Sequence, residues 1–321
     1  MGGDHAPDAI VAGARQIAAS TDISVLLVGP PDAMGDTGGL AVMAASEVIG
    51  MDEDPSFGVR RKKDSSLVRA AEAVRDGQAM AMVSAGNTGA TMASALLRMG
   101  RLPSVIRPAI ATPIPQLGRA WPTVLLDSGA NAECTAPMLI QFAQMGAAYV
   151  QCRYGVARPR VALLSIGEEK SKGTPVVKEA HALLAAGVEG ANFEFVGNVE
   201  GRDFFEDLAD VVVTDGFTGN VALKTLEGSL KFLMGAVAGV LGQPELSDAA
   251  GAVYPHLLPL AATFDPDTTG GAMLLGVNGV CVISHGSSSA RAVESAITVA
   301  HDVATAGLVA AVAASVATVD G

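Results

Sequence analysis

VVVTDGFTGNVALKTLE, residues Val211–Glu227, changes character twice along its length. The three β-branched residues at its start read as a fully buried strand. Thr214-Asp215-Gly216-Phe217-Thr218-Gly219-Asn220 is too rich in small and turn-forming residues to extend that strand. From Val221 onward the apolar positions Val221, Leu223, Leu226, Leu230 and Leu233 suit a helix. A buried strand feeding a glycine loop and a helix N-terminus presents free backbone N–H groups to an anion.

Val83-Ser84-Ala85-Gly86-Asn87-Thr88-Gly89 repeats the pattern 130 positions upstream of Val213–Gly219. Each copy taken alone also reads as a plain strand-to-helix turn with Thr as the cap. The surroundings change that balance. Strands are predicted at Ile23–Val28, Ala79–Met82, Val124–Leu126, Val161–Ile166, Phe193–Gly197, Val211–Val213 and Val280–Ile283. Helices are predicted at Ile10–Ala19, Ser65–Gly77, Thr88–Met99, Ala136–Met145, Thr174–Ala186, Ala290–Ala304 and Leu308–Val319. Thr37–Glu47 is ambiguous, and the prolines between Pro103 and Pro122 make that stretch irregular. Strands alternating with helices at this spacing give an α/β fold, a doubly wound and mostly parallel α/β/α sandwich. Ligands bind such sheets beyond the carboxyl ends of the strands. Ser84–Gly89, Asp127–Asn131, Gly167–Glu169, Thr214–Asn220 and Ser284–Ser289 all follow strands, so one edge is expected to carry all five loops.

No linker-like stretch divides the 321 residues, which read as a single domain, 1–321. Residues 229–262 read as a protruding helical segment, weakly structured toward Leu260 by Pro255 and Pro259. Half of the chain is hydrophobic, ample for a substantial core, and the formal net charge of −12 argues against bulk nucleic-acid binding. Three cysteines without a Cys-x-x-Cys fit a reduced cytosolic compartment. The longest apolar segments fall short of the roughly 20 residues a spanning helix needs. Against this acidic background Arg60-Arg61-Lys62-Lys63 is the strongest positive run, a solvated loop or a dock for an acidic partner. Arg98, Arg101 and Arg107 form a second cluster.

Several chemistries are excluded. No two glycines stand two residues apart, so the Gly-x-Gly-x-x-Gly dinucleotide fingerprint is absent. There is no P-loop, no Gly-x-Ser-x-Gly elbow, and no zinc-type spacing among the histidines, so no metal or cofactor is expected. Asp265-Pro266-Asp267 reads better as a capped turn than as a cation site. Anion binding by backbone amides, without a covalent nucleophile, remains.

Met1–Pro7, Ser84–Ala90, Leu126–Asn131, Phe195–Asp203, Thr214–Thr225 and Ser284–Ser288 together resemble the bacterial phosphate acyltransferase family of phospholipid synthesis, PlsX. The match runs in order from Met1 to beyond Arg291. The resemblance implies transfer of a long acyl chain from acyl carrier protein to inorganic phosphate. The acyl phosphate would pass to the downstream glycerol-3-phosphate acyltransferase. It also implies a homodimer, a fold similar to isocitrate and isopropylmalate dehydrogenases and phosphotransacetylase, and a cytoplasmic protein with peripheral contact to the inner face of the membrane. Members of the family carry a short strand before the Met-Gly-Gly-Asp motif, so a core strand upstream of Met1 is an expectation here.

Thioester chemistry assigns roles. Phosphate is already largely dianionic near neutral pH, and a thiolate, with a pKa of about 8.5, is a fair leaving group. The enzyme must position phosphate and stabilise the tetrahedral oxyanion. Gly86, Asn87, Thr88, Gly89, Thr218, Gly219, Ser287 and Ser288 are the candidate phosphate and carbonyl ligands, with Asn220 beside them. Lys224 offsets charge or merely reaches solvent, His285 protonates the leaving thiol or caps the next helix, and Asp215 acts in catalysis or orients its own loop. The Phe232–Leu260 segment lines the acyl chain, faces a membrane or forms a dimer interface. A coenzyme A-dependent phosphotransacetylase, a nicotinamide-dependent dehydrogenase and a non-catalytic lipid-enzyme scaffold are the rival readings.

Overall fold

The computed structural model describes residues 1–316. Its centre is an eight-stranded sheet in the order β3-β10-β9-β4-β5-β8-β6-β7. In chain order these strands are β3 (Ala81–Ser84), β4 (Ala109–Ile114), β5 (Thr123–Leu126), β6 (Arg160–Leu164), β7 (Glu194–Val199), β8 (Val211–Val213), β9 (Ala272–Leu275) and β10 (Val280–Ile283). Upstream, β1 (Leu26–Gly29) and β2 (Ala41–Ala44) form a separate parallel pair. Period-2 alternation splits the apolar residues between faces. Val161, Leu163, Val211 and Val213 face one core, and Ala162, Leu164 and Val212 face another.

The first core is covered by α5 (Ala136–Tyr154), α6 (Pro175–Ala186), α10 (Ala290–Thr305) and α11 (Leu308–Ser315). On the opposite face, α3 (Ser66–Arg75) and α4 (Thr88–Ser94) cover the β3 end. The start of α7 (Gly216–Leu241), with the 3₁₀ turn Gly201–Phe205, covers the β8 end. Short α2 (Pro55–Arg61) precedes α3, while α1 (Asp8–Ser20) packs on α10. The predicted helices recur, though α5 runs on to Tyr154, well past its predicted end at Met145; the end of the last one, Ala317–Val319, lies outside the described residues.

Strand polarity corrects one expectation. β10 runs parallel to β3, and β5, β8, β6 and β7 run parallel to one another. Between these groups the three pairings β10–β9, β9–β4 and β4–β5 are all antiparallel. An odd number of reversals makes β3 and β10 run opposite to β5, β8, β6 and β7. Ser84–Gly89 and Ser284–Ser289 thus leave one end of the strands, and Asp127–Asn131, Gly167–Glu169 and Thr214–Asn220 leave the other. The five loops do not share one edge. The strands responsible, β4 and β9, are two that the sequence pattern concealed. Pro113 breaks the pattern of β4, and it is tolerated because it lies past the β9 ladder, where β4 is paired on one side only.

Residues 229–262 are helical, and only the weak structure expected toward Leu260 is corrected. The stretch is well formed: α7 continues to Leu241, and α8 (Ser247–Thr263) follows after a short turn, with Pro255 and Pro259 inside it. A single turn, α9 (Pro266–Thr269), then leads into β9. After Gly219, Ala250 alone is buried through the end of α8. The facing edges of β1 and β3 form no ladder with each other, and a largely apolar groove of about 660 Å³ runs between them.

The end of the sheet remote from the loops of β5, β8 and β6 is tied by a buried carboxylate. Asp210, just before β8, accepts hydrogen bonds from Arg160 N (2.7 Å) and Trp121 Nε1 (3.0 Å) and pairs with Arg119. Burial pushes its pKa up, but the bonds from Arg160 and Trp121 and the Arg160 charge outweigh that and hold it at about 2. The unfolded carboxyl titrates near about 3.9. Its contribution is complete above that pH and is lost as pH falls toward about 2, on the order of 2 kcal/mol in all. Asp210→Asn should lower stability at neutral pH and flatten the acid limb of the stability curve between about pH 4 and 2, read by urea unfolding at a series of pH values.

Candidate functional site

Two clusters of loops carry the residues singled out by the sequence. The first lies at the carboxyl ends of β3 and β10. Gly86 N donates to Ser84 Oγ (3.1 Å), and Asn87 caps α4 by accepting from Ala90 N (3.1 Å). The Asn87 amide also donates to Met51 O (3.0 Å) and Glu53 O (3.3 Å), so its side chain is spent on the fold. The Thr88 and Gly89 N–H groups in the first turn of α4 have no intrahelical partner, and Thr88 is exposed.

The N-terminal loop closes this cluster. Asp4 N donates to Gly286 O (2.7 Å). Gly3 has φ +98°, and a Cβ there would fall 2.9 Å from Ala85 O and 3.0 Å from Gly286 O. A side chain cannot occupy that crossing, so glycine lets three backbones meet.

His285 stands exposed on the same cluster. Its Nδ1 accepts from Ser287 N (3.3 Å) and lies 2.8 Å from Ser287 Oγ. Acceptance at Nδ1 assigns the proton of the neutral ring to Nε2. Ser288 is buried and turned inward, both its N–H (3.0 Å) and its Oγ (2.6 Å) donating to His285 O. Ser289, rather than His285, caps α10.

The second cluster, at the carboxyl ends of β5 and β8, is organised by Asp127, a residue the sequence placed in a loop but assigned no role. It is fully buried. Its carboxylate accepts from Ile110 N (3.0 Å), Gly129 N (3.1 Å), Ala130 N (2.9 Å), Asn131 N (2.7 Å) and Asn131 Nδ2 (2.9 Å). The loop amides that could hold an outside anion are filled by the chain's own.

The β8 loop is equally committed. Gly216 N donates to Asn131 O (2.7 Å), and Asp215 caps α7, accepting from Thr218 N and Thr218 Oγ1 (both 2.8 Å). Gly219 N donates to Asp215 O (2.9 Å), and Asn220 Nδ2 donates to Ser128 O (3.2 Å). Gly219 lies against Asp127 O too closely for any Cβ. Lys224, half exposed, directs its ammonium to Glu227 at 2.7 Å. Asp215 is thus held by Thr218 within its own loop, and Gly219 and Asn220 lie against the Asp127 loop.

Burial, then the nearby Asp127 charge, pushes the Cys134 thiol up to about 12, so it stays protonated at neutral pH. Among the described residues no cluster of His, Cys, Asp and Glu has a metal-binding arrangement. No single described helix is long and apolar enough to cross a membrane.

The sequence profile of a family described as fatty acid synthesis protein matches residues 1–311. A phosphate acyltransferase of Heliobacterium modesticaldum is 46% identical over 311 residues, covering 94% of this chain and 91% of that protein. One from Myxococcus xanthus is 48% identical, covering 96% and 89% respectively. Among solved structures, a phosphotransacetylase from Streptococcus pyogenes superposes with a TM-score of 0.60 at 18% identity, over 94% of this chain and 91% of that one. The EutD phosphotransacetylase from Staphylococcus aureus gives 0.59 at 17%, over 92% and 90%. At such identities these two likenesses establish the fold.

Removing the Asp127 carboxylate strands five buried or half-buried N–H donors at once. Asp127→Ala should cost at least about 3 kcal/mol of stability, measured by urea unfolding. A loss below about 1 kcal/mol would mean that the loop reorganises without it.

Proposed function

The chain belongs to the fatty acid synthesis protein family, whose curated relatives are phosphate acyltransferases, and from that premise we propose its reaction. It moves a long-chain fatty acyl group from acyl carrier protein to inorganic phosphate, giving an acyl phosphate for phospholipid synthesis. The observation that carries this reading is the first cluster. There the unpaired first-turn amides of α4 and a histidine with its proton on Nε2 border the same glycine crossing.

In the proposed reaction a phosphate oxygen attacks the thioester carbonyl and the C–S bond breaks. His285 gives its Nε2 proton to the departing sulfur while its Nδ1 takes up the phosphate hydroxyl proton relayed through Ser287 Oγ, so the ring stays neutral and no proton is gained or lost. The Thr88 and Gly89 amides and the Ser287 hydroxyl hold the phosphate. Positioning carries most of the rate enhancement, since neither reactant needs strong activation. Asp215, Asn220, Thr218 and Gly219 belong to the second cluster and serve the fold there rather than touching phosphate.

The α7–α8 pair is assigned to assembly. Phe232 is 78% exposed and Leu258 64%, in an excursion that buries almost nothing else. Exposed apolar surface on this scale marks an interaction face. We assign it to the homodimer, with apolar surface at its tip contacting the cytoplasmic face of the membrane.

Phosphate-dependent release of free carrier thiol from acyl carrier protein tests the function directly, and its absence would reject the assignment. A coenzyme A thioester as an equal donor would favour the phosphotransacetylase reading. His285→Ala should lower kcat about 100-fold, whereas Lys224→Ala, whose ammonium is held by Glu227, should stay within about twofold. Turnover of His285→Ala within twofold of the parent removes His285 from the mechanism. Phe232→Glu combined with Leu258→Glu should convert a dimer to a monomer in sedimentation velocity, and an unchanged dimer would place the interface elsewhere.

A further inference from the structure

The chain carries 12 more negative than positive charges, and most of its cations are neutralised at home. Arg15, Lys62, Arg69, Arg75, Arg98, Arg119, Arg153 and Arg160 each pair with a carboxylate. Arg101 of the second basic cluster is turned inward to the Val105 and Ile106 carbonyls. Arg107, Arg158, Lys170, Lys172, Lys178 and Lys231 are also exposed without an ion pair among the described residues, but Arg60, Arg61 and Lys63 are grouped beside the first loop cluster. All three are exposed, they lie within four residues at the end of α2, and none forms an ion pair among the described residues. Arg61 lies over the ring of Phe57, 5.0 Å from its centroid, and that ring is itself 57% exposed.

The location is as informative as the charge. α2 is fastened to the phosphate-side cluster by its first turn. The residues leading into it, Met51 and Glu53, accept the two hydrogen bonds of the Asn87 amide. A Cβ on Gly89 would fall 2.7 Å from Pro55 Cγ, and one on Gly286 would fall 2.9 Å from Met51 Cε. With a rise of about 1.5 Å per residue, a helix of this length puts its basic end about 10 Å from the anchored one. A protein bound to the basic end can feed a flexible thioester arm to the Thr88–Gly89 amides.

We propose that Phe57, Arg60, Arg61 and Lys63 form the docking surface for the acidic face of the acyl-carrying protein. The inference rests on the acyl-carrier reading above and gives it a location. Charge complementarity selects the occupant: in an acidic molecule an isolated unpaired basic ridge attracts an acidic protein and repels little else. Phe57 supplies the apolar contact that a purely electrostatic encounter lacks. Lys62 is excluded from the set because its ammonium is engaged by Glu53 and Val48 O, where it holds α2 in place.

The triple variant Arg60→Glu, Arg61→Glu, Lys63→Glu is assayed with two donors, hexanoyl acyl carrier protein and carrier-free hexanoyl-pantetheine. The expected result is at least a 10-fold fall in kcat/KM for the carrier-bound donor, carried by KM, with the phosphate KM and the pantetheine donor unchanged. The wild-type rate with the carrier should fall with added salt and the variant's should not. Unchanged carrier kinetics in the triple variant overturn the docking surface while leaving the acyltransferase reading intact. Wild-type enzyme that releases thiol from neither donor rejects the acyltransferase reading itself. Should the charge reversals impair both donors, the Arg60→Gln, Arg61→Gln, Lys63→Gln set decides by the same comparison.

Discussion

One buried carboxylate holds the middle of this molecule together. Asp127 reaches back to the start of β4 through Ile110 N and forward into its own loop through Gly129, Ala130 and Asn131. The loop so fixed offers Asn131 O to Gly216 and Ser128 O to Asn220. Gly216 and Gly219 are needed here for proximity, because a Cβ on either would strike this loop. A charge so deeply buried is expensive unless every acceptor site is used. Its cost is offset by donors from three consecutive backbone positions and a fourth across the sheet, so the start of β4, the ends of β5 and β8 and the start of α7 stand or fall as one unit.

The two similar glycine motifs turn out to be out of register with each other. In Ser84–Gly89 the cap is Asn87, after the first glycine, and the helix begins at Thr88. In Thr214–Asn220 the cap is Asp215, before the first glycine, and the helix begins at Gly216. Moving the capping side chain from one side of the first glycine to the other shifts the start of the helix by two residues relative to the shared glycines. The earlier start brings Gly216 N to Asn131 O and closes that end. The later start leaves the first-turn amides of α4 facing outward. Sequence likeness between the loops hid a difference in what each can still bind.

What the sequence conveyed follows from how local each signal is. Long amphipathic helices such as Ser66–Arg75 and buried β-branched strands such as Val211–Val213 declare themselves within a few residues. β4 did not, because Pro113 sits inside it, and α2 did not, because Arg60–Lys63 reads as solvated loop when its cap Asp54 and buried Val59 are discounted. Sheet polarity was illegible for a deeper reason: it depends on how many antiparallel steps separate two strands, and overlooking β4 and β9 erased those steps. The caps depart from the sequence reading: each motif reads with its Thr as the cap, but Asn87 and Asp215 accept the first-turn amides instead. The enclosure of Asp127 by amides from its own loop and from β4 gave no sequence signal.

The separate β1–β2 pair has a bearing on the site that its position does not suggest. It shares no ladder with the main sheet and rests on a small apolar cluster of Val11, Ala14, Leu27 and Met34, with Met1 and Ile297 at its margin. Few buried contacts and a short ladder give such a unit low protection in native-state hydrogen exchange. The Gly2–Asp4 strap that crosses Ala85 and Gly286 grows out of this same unit through Met1 and α1. One wall of the first loop cluster is therefore anchored in a thinly packed part of the fold rather than in the main sheet.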